Sequence, residues 1–361
     1  MKILILCPVG IGDALMFTPA LHLLRNRYAD AQIDILTPLK GASEIFLDNP
    51  DVTTVHYHDF LGASKIESLK FVRTLRKNRY DVSINVYPQN RWEYNLITRL
   101  VGAPMRLGHT YRHQSIRQTN FLNTHRITES EERHNVVENI TLLKHLDVAG
   151  DDPPPFQLHV PESATAAADD WWNRQNFEDG QMVIGMHPGS AILKNHINRR
   201  WAPERFAELG VRLAHEHQTR ICVFGGPEEA PLKRQIAEAV GPAAIQVATA
   251  SLLDTVACIK RCHCMVTNDS ALMHFSAAVG QRTVVVLGPT NENYIYPWQT
   301  EYRLVTLPDL PCRPCFYYSP RPLTCSLVDR PYACVREITT EQVMAQVLDI
   351  LHEESPPTIN D

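Results

Sequence analysis

The residues with the clearest chemical potential stand where apolar runs end. Lys2–Cys7 reads as a short strand, and Gly10-Ile11-Gly12-Asp13 follows it directly and opens a helix. Two glycines let the backbone turn tightly and leave room for a ligand. Asp13 is then a carboxylate at a helix start, where it either complements the helix dipole or serves as a general base. A dinucleotide fingerprint would want a third glycine at position 15, which is leucine, so that reading fails. Four runs in the second half end in comparable loops. Met182–Met186 precedes His187-Pro188-Gly189-Ser190, with Lys194, Arg199 and Arg200 close behind. Thr219–Phe224 precedes Gly225-Gly226-Pro227-Glu228-Glu229, and Cys264–Thr267 precedes Asn268-Asp269-Ser270-Ala271-Leu272-Met273-His274. Thr283–Leu287 precedes Gly288-Pro289-Thr290. Helix N-termini, small residues and nearby cations suit a diphosphate, and Glu229 suits ribose hydroxyls. No P-loop lysine motif and no Asp-x-Asp pair occur, so a nucleotide-sugar site neutralised by side chains and backbone fits best.

Such loops need a frame. Strand-like and helix-like runs alternate along nearly the whole chain, which predicts an α/β protein with parallel sheets covered on both faces. Further strands are expected over 32–37 and 81–86, and helices near 203–217, 229–240, 251–261 and 270–279. Pro19 lies inside the first helical pattern and predicts a kink, or a fresh start capped by Thr18. The chain of 361 residues suits two domains. The proline-rich and Ser/Thr/Ala-rich stretch 147–168 marks the boundary, between domains over 1–160 and 175–340. A helix over 340–355 closes the chain and is expected to pack back toward the first domain, with residues 355–361 as a frayed tail. Two doubly wound, Rossmann-like halves would face a central cleft, with ligand loops at the carboxyl ends of the strands.

Composition excludes other classes. The hydrophobic fraction of 44% and charged fraction of 21% are those of a globular protein, and a net charge of −5 gives no reason to expect nucleic acid. No apolar run reaches the roughly 18 residues a membrane span needs. The N-terminal apolar run meets Pro8, Gly10 and Asp13 too soon for a signal peptide, so a cytoplasmic chain is expected. Of nine cysteines, Cys312, Cys315, Cys325 and Cys334 follow a C-x2-C-x9-C-x8-C pattern that either holds structural zinc or iron or is plain core. Cys258, Cys262 and Cys264 read as small core residues, His56, His58, His215 and His217 as surface, and Trp171-Trp172 as interdomain packing. Residues 61–120 carry eleven cations against three carboxylates, among them Arg73, Arg76, Arg79 and Arg112. Some belong to a solvated helix face; arginine forks also suit a phosphorylated or carboxylated substrate.

Gly10-Ile11-Gly12-Asp13, His134-Asn135-Val136-Val137-Glu138, Arg199-Arg200-Trp201, the Gly225–Glu229 loop, the Asn268–His274 loop and Gly288-Pro289-Thr290 together resemble the ADP-heptose:lipopolysaccharide heptosyltransferases, glycosyltransferase family 9. The resemblance implies a GT-B fold and inverting sugar transfer without a catalytic metal. It implies that Asp13 is the catalytic base and that Gly12, Ser190, Lys194, Arg199, Glu229, Asp269, Ser270, Ala271 and His274 bind ADP-heptose. Arg199 stands where the family usually has lysine, and Ala271 where it usually has glycine, which would narrow the loop if positive φ were needed there. The family's acceptors are phosphorylated, Kdo-bearing lipid A cores at the inner membrane face. Arg73, Arg76, Arg79 and Arg112 are therefore expected to bind such an anionic acceptor and to attract anionic lipid in a peripheral contact. A branch of the family that heptosylates protein carries a four-cysteine iron site, which keeps a protein acceptor open. A non-hydrolysing nucleotide-sugar epimerase or a two-lobed ligand-binding protein would share the two-domain architecture.

Overall fold

The computed structural model describes residues 1–89, 91–112, 117–316 and 322–352. The chain forms two compact units. One comprises Met1–His159 with Asn293–Ile295 among its described residues, and the other the rest of the chain from Val160. The expected tail over 355–361 lies outside the described residues.

The first unit runs β1 Lys2–Leu6, α1 Ile11–Arg27, β2 Gln32–Thr37, α2 Lys40–Glu44, β3 Thr54–Tyr57, α3 Lys65–Lys77, β4 Val82–Asn85, α4 Trp92–Val101, β5 Met105–Thr110, β6 His125–Thr128 and α5 Asn135–Leu142. Its six strands are parallel and ordered β3-β2-β1-β4-β5-β6. The strands are apolar on both faces because helices cover both: Ile3, Leu4, Ile5 and Leu6 are fully buried. The α3 and α4 helices share one face, where Val72, Leu75, Tyr94, Ile97 and Val101 join Leu4, Leu6 and Leu36 in one cluster.

The second unit runs α6 Glu162–Asn173, β7 Val183–His187, α7 Pro203–His217, β8 Arg220–Val223, α8 Ala230–Val240, β9 Ala244–Gln246, α9 Leu252–Ile259, β10 Cys264–Asn268, α10 Ala271–Ala278, β11 Thr283–Val286, α11 Glu292–Ile295, β12 Tyr302–Val305, α12 Ala333–Arg336 and α13 Thr340–His352. Residues 293–295 of α11 group with the first unit. The second sheet, also parallel, is ordered β12-β11-β10-β7-β8-β9. Counted from its own first strand this is the same doubly wound order as the first sheet. Each sheet therefore reverses direction once, between β1 and β4 and between β7 and β10. Such a reversal opens a crevice at the carboxyl ends of the strands.

Several local expectations are corrected. Pro19 neither breaks nor restarts α1, which is continuous. Proline leaves the Leu15 carbonyl without its helical N–H, and the Thr18 hydroxyl donates to that carbonyl instead, at 2.8 Å. The Ser/Thr/Ala-rich stretch forms α6 rather than a linker. Trp171 packs inside the second unit's own core with Ala168, Val183 and Phe224. The α13 helix likewise buries Val343, Met344, Val347 and Ile350 in the second unit's own core. His56 and His58 are not surface ornaments. His58 stacks on Phe71 at 4.4 Å, and His56 lies 3.4 Å from the buried Asp34.

Candidate functional site

In the first unit the β1–α1 loop stands at the switch point. Gly10 is the N-cap of α1, Gly12 is buried in its first turn, and Asp13 is the third helical residue, half-buried at the positive end of the helix dipole. Asn135, first residue of α5, donates from Nδ2 to Asp13 Oδ1 at 3.4 Å. The α5 helix starts here because His134 caps it, Nδ1 accepting from the Val136 amide at 3.2 Å. Around Asp13 lies an acidic and aromatic shell. Tyr87 stacks on Tyr111 with centroids 5.7 Å apart and donates to Glu129 at 3.1 Å. Burial holds the Tyr111 phenol protonated, helped by the negative charges of Glu129, Glu138 and Asp13. Glu138 is fully buried, 3.4 Å from His109 and accepting from the Ser130 amide at 2.7 Å.

The four arginines of the basic stretch are not brought together. Arg112 follows β5 at the strands' carboxyl ends, its amide donating to Glu129 at 2.8 Å, and its side chain is exposed. Arg73, Arg76 and Arg79 lie on or just beyond the last turns of α3, which returns the chain to the opposite end of the sheet, where β4 begins. Arg76 donates to the Leu100 carbonyl at 3.0 Å and so serves the C-terminus of α4.

In the second unit the loops after β7 and β10 flank the switch point. His187 ends β7 and joins three elements: Nε2 lies 3.1 Å from Glu229 Oε2, and Nδ1 lies 3.0 Å from Ser270 Oγ. A carboxylate only accepts, so Nε2 donates to Glu229. Burial alone would raise the Glu229 carboxyl. The His187 ring, the Gly226 amide and Arg200 outweigh it and hold that carboxyl below the ordinary range. Gly189 makes room for this carboxylate: a Cβ there would collide with Glu229 Oε1. Asn268 ties the same loop down, donating to the Pro188 carbonyl at 2.8 Å while accepting from the Trp201 amide at 2.8 Å. The Arg200 guanidinium donates to the Ser190 carbonyl, and Ser190 Oγ donates to the His196 carbonyl at 3.2 Å.

Arg199 is buried with its guanidinium over the Phe316 ring at 5.2 Å. Its Nη1 donates to Asp269 Oδ2 at 2.6 Å and to Thr290 Oγ1 at 3.4 Å, and Thr290 donates to the same carboxylate oxygen at 2.6 Å. The other prong, Nη2, lies 3.2 Å from His196 Nδ1, so the fork ties Asp269 and the β11 loop to His196, a span that one ammonium nitrogen does not cover. Lys194 is exposed in a left-handed turn with Asn195. Ser270 is the N-cap of α10, but its hydroxyl turns to His187 and Thr267 instead of capping the helix. Ala271 is the first helical residue with no positive φ, so the exchange of glycine for alanine costs nothing there. His274 is buried on α10 and is driven down to about 4 by burial, so it is neutral at pH 7.

The structure gives no support to a metal centre at the four cysteines. Among the described residues no group of three or more His, Cys, Asp or Glu side chains is gathered to hold an ion. Cys334 is buried on α12, and burial and neighbouring thiols push it up to about 11, so it stays a thiol. Cys325 Sγ accepts from the Tyr332 amide at 3.2 Å, and Cys312 packs against the second unit's core. Cys258 and Cys264 are also core, both pushed up to about 12 by burial. The sequence assigned no role to His187, Asn268, Thr290, Glu129 or His109. The signal for His187 was its place as the last residue of an apolar run before Pro-Gly.

Two parallel sheets of one strand order, each with polar loops at its switch point, give the chain the two-unit GT-B architecture. The family model for glycosyltransferase family 9 (heptosyltransferase) matches residues 68–322. The chain belongs to that family and is a glycosyltransferase. It is 24% identical over 360 residues to lipooligosaccharide heptosyltransferase 2 of Campylobacter jejuni, covering 97% of this chain and 98% of that protein. The structure of a family 9 glycosyltransferase from Veillonella parvula superposes with TM-score 0.80 at 20% identity, over 98% of each chain. That of ADP-heptose lipopolysaccharide heptosyltransferase II from Escherichia coli superposes with TM-score 0.71 at 23% identity, over 97% of this chain and 98% of that one.

Proposed function

We propose that the protein transfers heptose from ADP-heptose to a hydroxyl of the lipopolysaccharide inner core, with inversion and without a metal. The observation that carries this reading is the Asp13 carboxylate at the first sheet's switch point, oriented by Asn135, in a chain similar to enzymes named for that transfer. The first unit supplies the acceptor site and the base. As the acceptor oxygen attacks the anomeric carbon its hydroxyl becomes strongly acidic, and Asp13 takes the proton. The second unit holds the donor. The first-turn amides of α10, Arg199 and Lys194 stabilise the leaving diphosphate, while Ser190, Ser270 and Glu229 fix phosphate and ribose. Gly12 leaves room for the donor, and neutral His274 adds a polar contact without opposing charge. Arg112, at the same end of the sheet as Asp13, meets the anionic acceptor. A lipid-core acceptor is favoured over a protein one because the similar proteins are named for lipopolysaccharide or lipooligosaccharide heptosyl transfer.

Mass spectrometry of a soluble, deacylated Kdo-bearing core incubated with ADP-heptose and the protein tests this. The expected result is a heptose added to the core with stoichiometric ADP, undiminished by chelators. Heptose found only on protein, or epimerised donor without transfer, would overturn it.

A further inference from the structure

Fifteen large apolar side chains are exposed among the described residues, and seven of them lie on one layer of the first unit. That layer is the α3–α4 face of the sheet, with the short turn Asn120–Leu122 packed beside α4. Each helix buries one stripe, Val72 and Leu75 on α3, and Tyr94, Ile97 and Val101 on α4. Helical spacing then turns Ile66, Lys70, Arg73 and Lys77 outward on α3, and Trp92, Leu96 and Arg99 outward on α4. The two stripes share a pattern, apolar in the first turns and cationic in the last. Ile66 is 69% exposed, Trp92 49%, and Phe121 on the short turn 69%. Leu61, just ahead of α3, and Leu69 and Leu100 at the edges of the stripes complete the apolar set.

The acids of this layer are already committed. Glu67 closes the capping box of α3 with Ser64, and Glu93 pairs with Arg91 at 3.0 Å. Lys65, Lys70, Arg73, Lys77 and Arg99 are exposed, and their charges are not spent on either acid. Both helices start at the carboxyl ends of their preceding strands, which is the end of the sheet that carries Asp13. The apolar turns therefore lie toward the reactive end, and the cations extend behind them.

We propose that the α3–α4 layer is a docking face for an anionic lipid surface, with Ile66, Trp92 and Phe121 entering the headgroup–acyl boundary and the cations meeting lipid phosphates. Charge complementarity selects this occupant. A second copy of the chain would oppose like-charged stripes across a two-fold axis, whereas an anionic bilayer pairs every cation and buries every apolar turn. The face deepens the proposed function, since a lipid-linked acceptor would be presented where Asp13 stands. It also gives Arg73, Arg76 and Arg79 a reason to be cationic although they lie away from the switch point.

Sedimentation of the full chain with vesicles tests this without donor or acceptor, so it stands or falls separately from the transfer chemistry. Vesicles of phosphatidylcholine with phosphatidylglycerol should bind the protein. Pure phosphatidylcholine should bind it at least tenfold less, and added salt should weaken the anionic binding. The I66S/W92S/F121S variant should lose binding by roughly tenfold or more, and K65E/K70E by roughly fivefold per charge. Both variants should keep wild-type turnover of a soluble acceptor, which verifies that they fold. Equal sedimentation of wild type and variants on anionic vesicles would overturn the proposal. So would a concentration-dependent dimer that the apolar variant abolishes.

Discussion

The two switch points share a topology and carry opposite chemistry. At the first, the loop after β1 presents Asp13 within a shell that holds Glu129, Glu138, Tyr87 and Tyr111. At the second, the loops after β7 and β10 present hydroxyls, the amino end of α10 and a buried guanidinium. A carboxylate beside an acceptor hydroxyl can take its proton, and a cationic, amide-rich surrounding suits a leaving diphosphate. The shared strand order builds a crevice in either sheet; only the side chains at the strand ends decide what each can do.

The largest effect should come from the first switch point alone. Asp13→Asn is expected to lower turnover by about 10²–10⁴-fold while ADP affinity, measured by calorimetry, stays at the wild-type value. Comparable turnover in this variant would remove the base from the first unit. Arg199→Ala should act on the other side of the comparison. It strands the Asp269 carboxylate and removes a cation, so ADP affinity should fall roughly 10–100-fold. Arg199→Lys should recover only part of that, because one ammonium cannot reach Asp269 and His196 together as the two prongs do.

Smaller changes sharpen the contrast within the second unit. Gly189→Ala forces Glu229 away from His187 and Gly226, and should cost about 1–2 kcal/mol by denaturant unfolding. In a Glu229→Ala background the same change should cost much less, and additive penalties would show that the two do not interact. The two units should also respond differently to acid. His274 and His196 are both driven down to about 4 by burial, below the ordinary 6.5. The unfolded chain therefore binds their protons first. Stability they leave intact above pH 6.5 is lost as pH falls toward 4, and melting should drop by roughly 5 °C between pH 7 and pH 5. In the first unit, burial would raise Asp34, but bonds from His56, Tyr80 and Gln32 outweigh it and lower its pKa. Its contribution persists until pH falls below the ordinary carboxylate range. Hydrogen exchange at pH 5 should thus show the second unit loosening before the first, and the reverse order would contradict these assignments.

Much of this was legible in the residues. The apolar runs 32–37, 182–186 and 264–267 are strands within a residue or so of their ends, because strands buried on both faces must be continuously apolar. Short or edge strands such as β3, β6 and β9 were not legible, since half-exposed segments of three or four residues carry too little pattern. The loop motifs pointed to Asp13, Glu229, Asp269 and Ser270 because glycine, proline and polar residues at strand ends are local signals. The His187–Glu229–Ser270 chain was invisible: Glu229 and Ser270 lie 42 and 83 residues from His187, and only the strand order brings them within 3.1 Å of it.

By itself, then, the sequence determined two α/β halves, the carboxylate at the first helix start and the family, all of which rest on local periodicity and contiguous motifs. The tertiary structure alone decided which charges act together. It sent Arg73, Arg76 and Arg79 to the far end of their sheet and turned Arg199 onto Asp269. Distance along a chain says how near two side chains start. Parallel crossovers, each returning the chain to the opposite end of a sheet, decide where they finish.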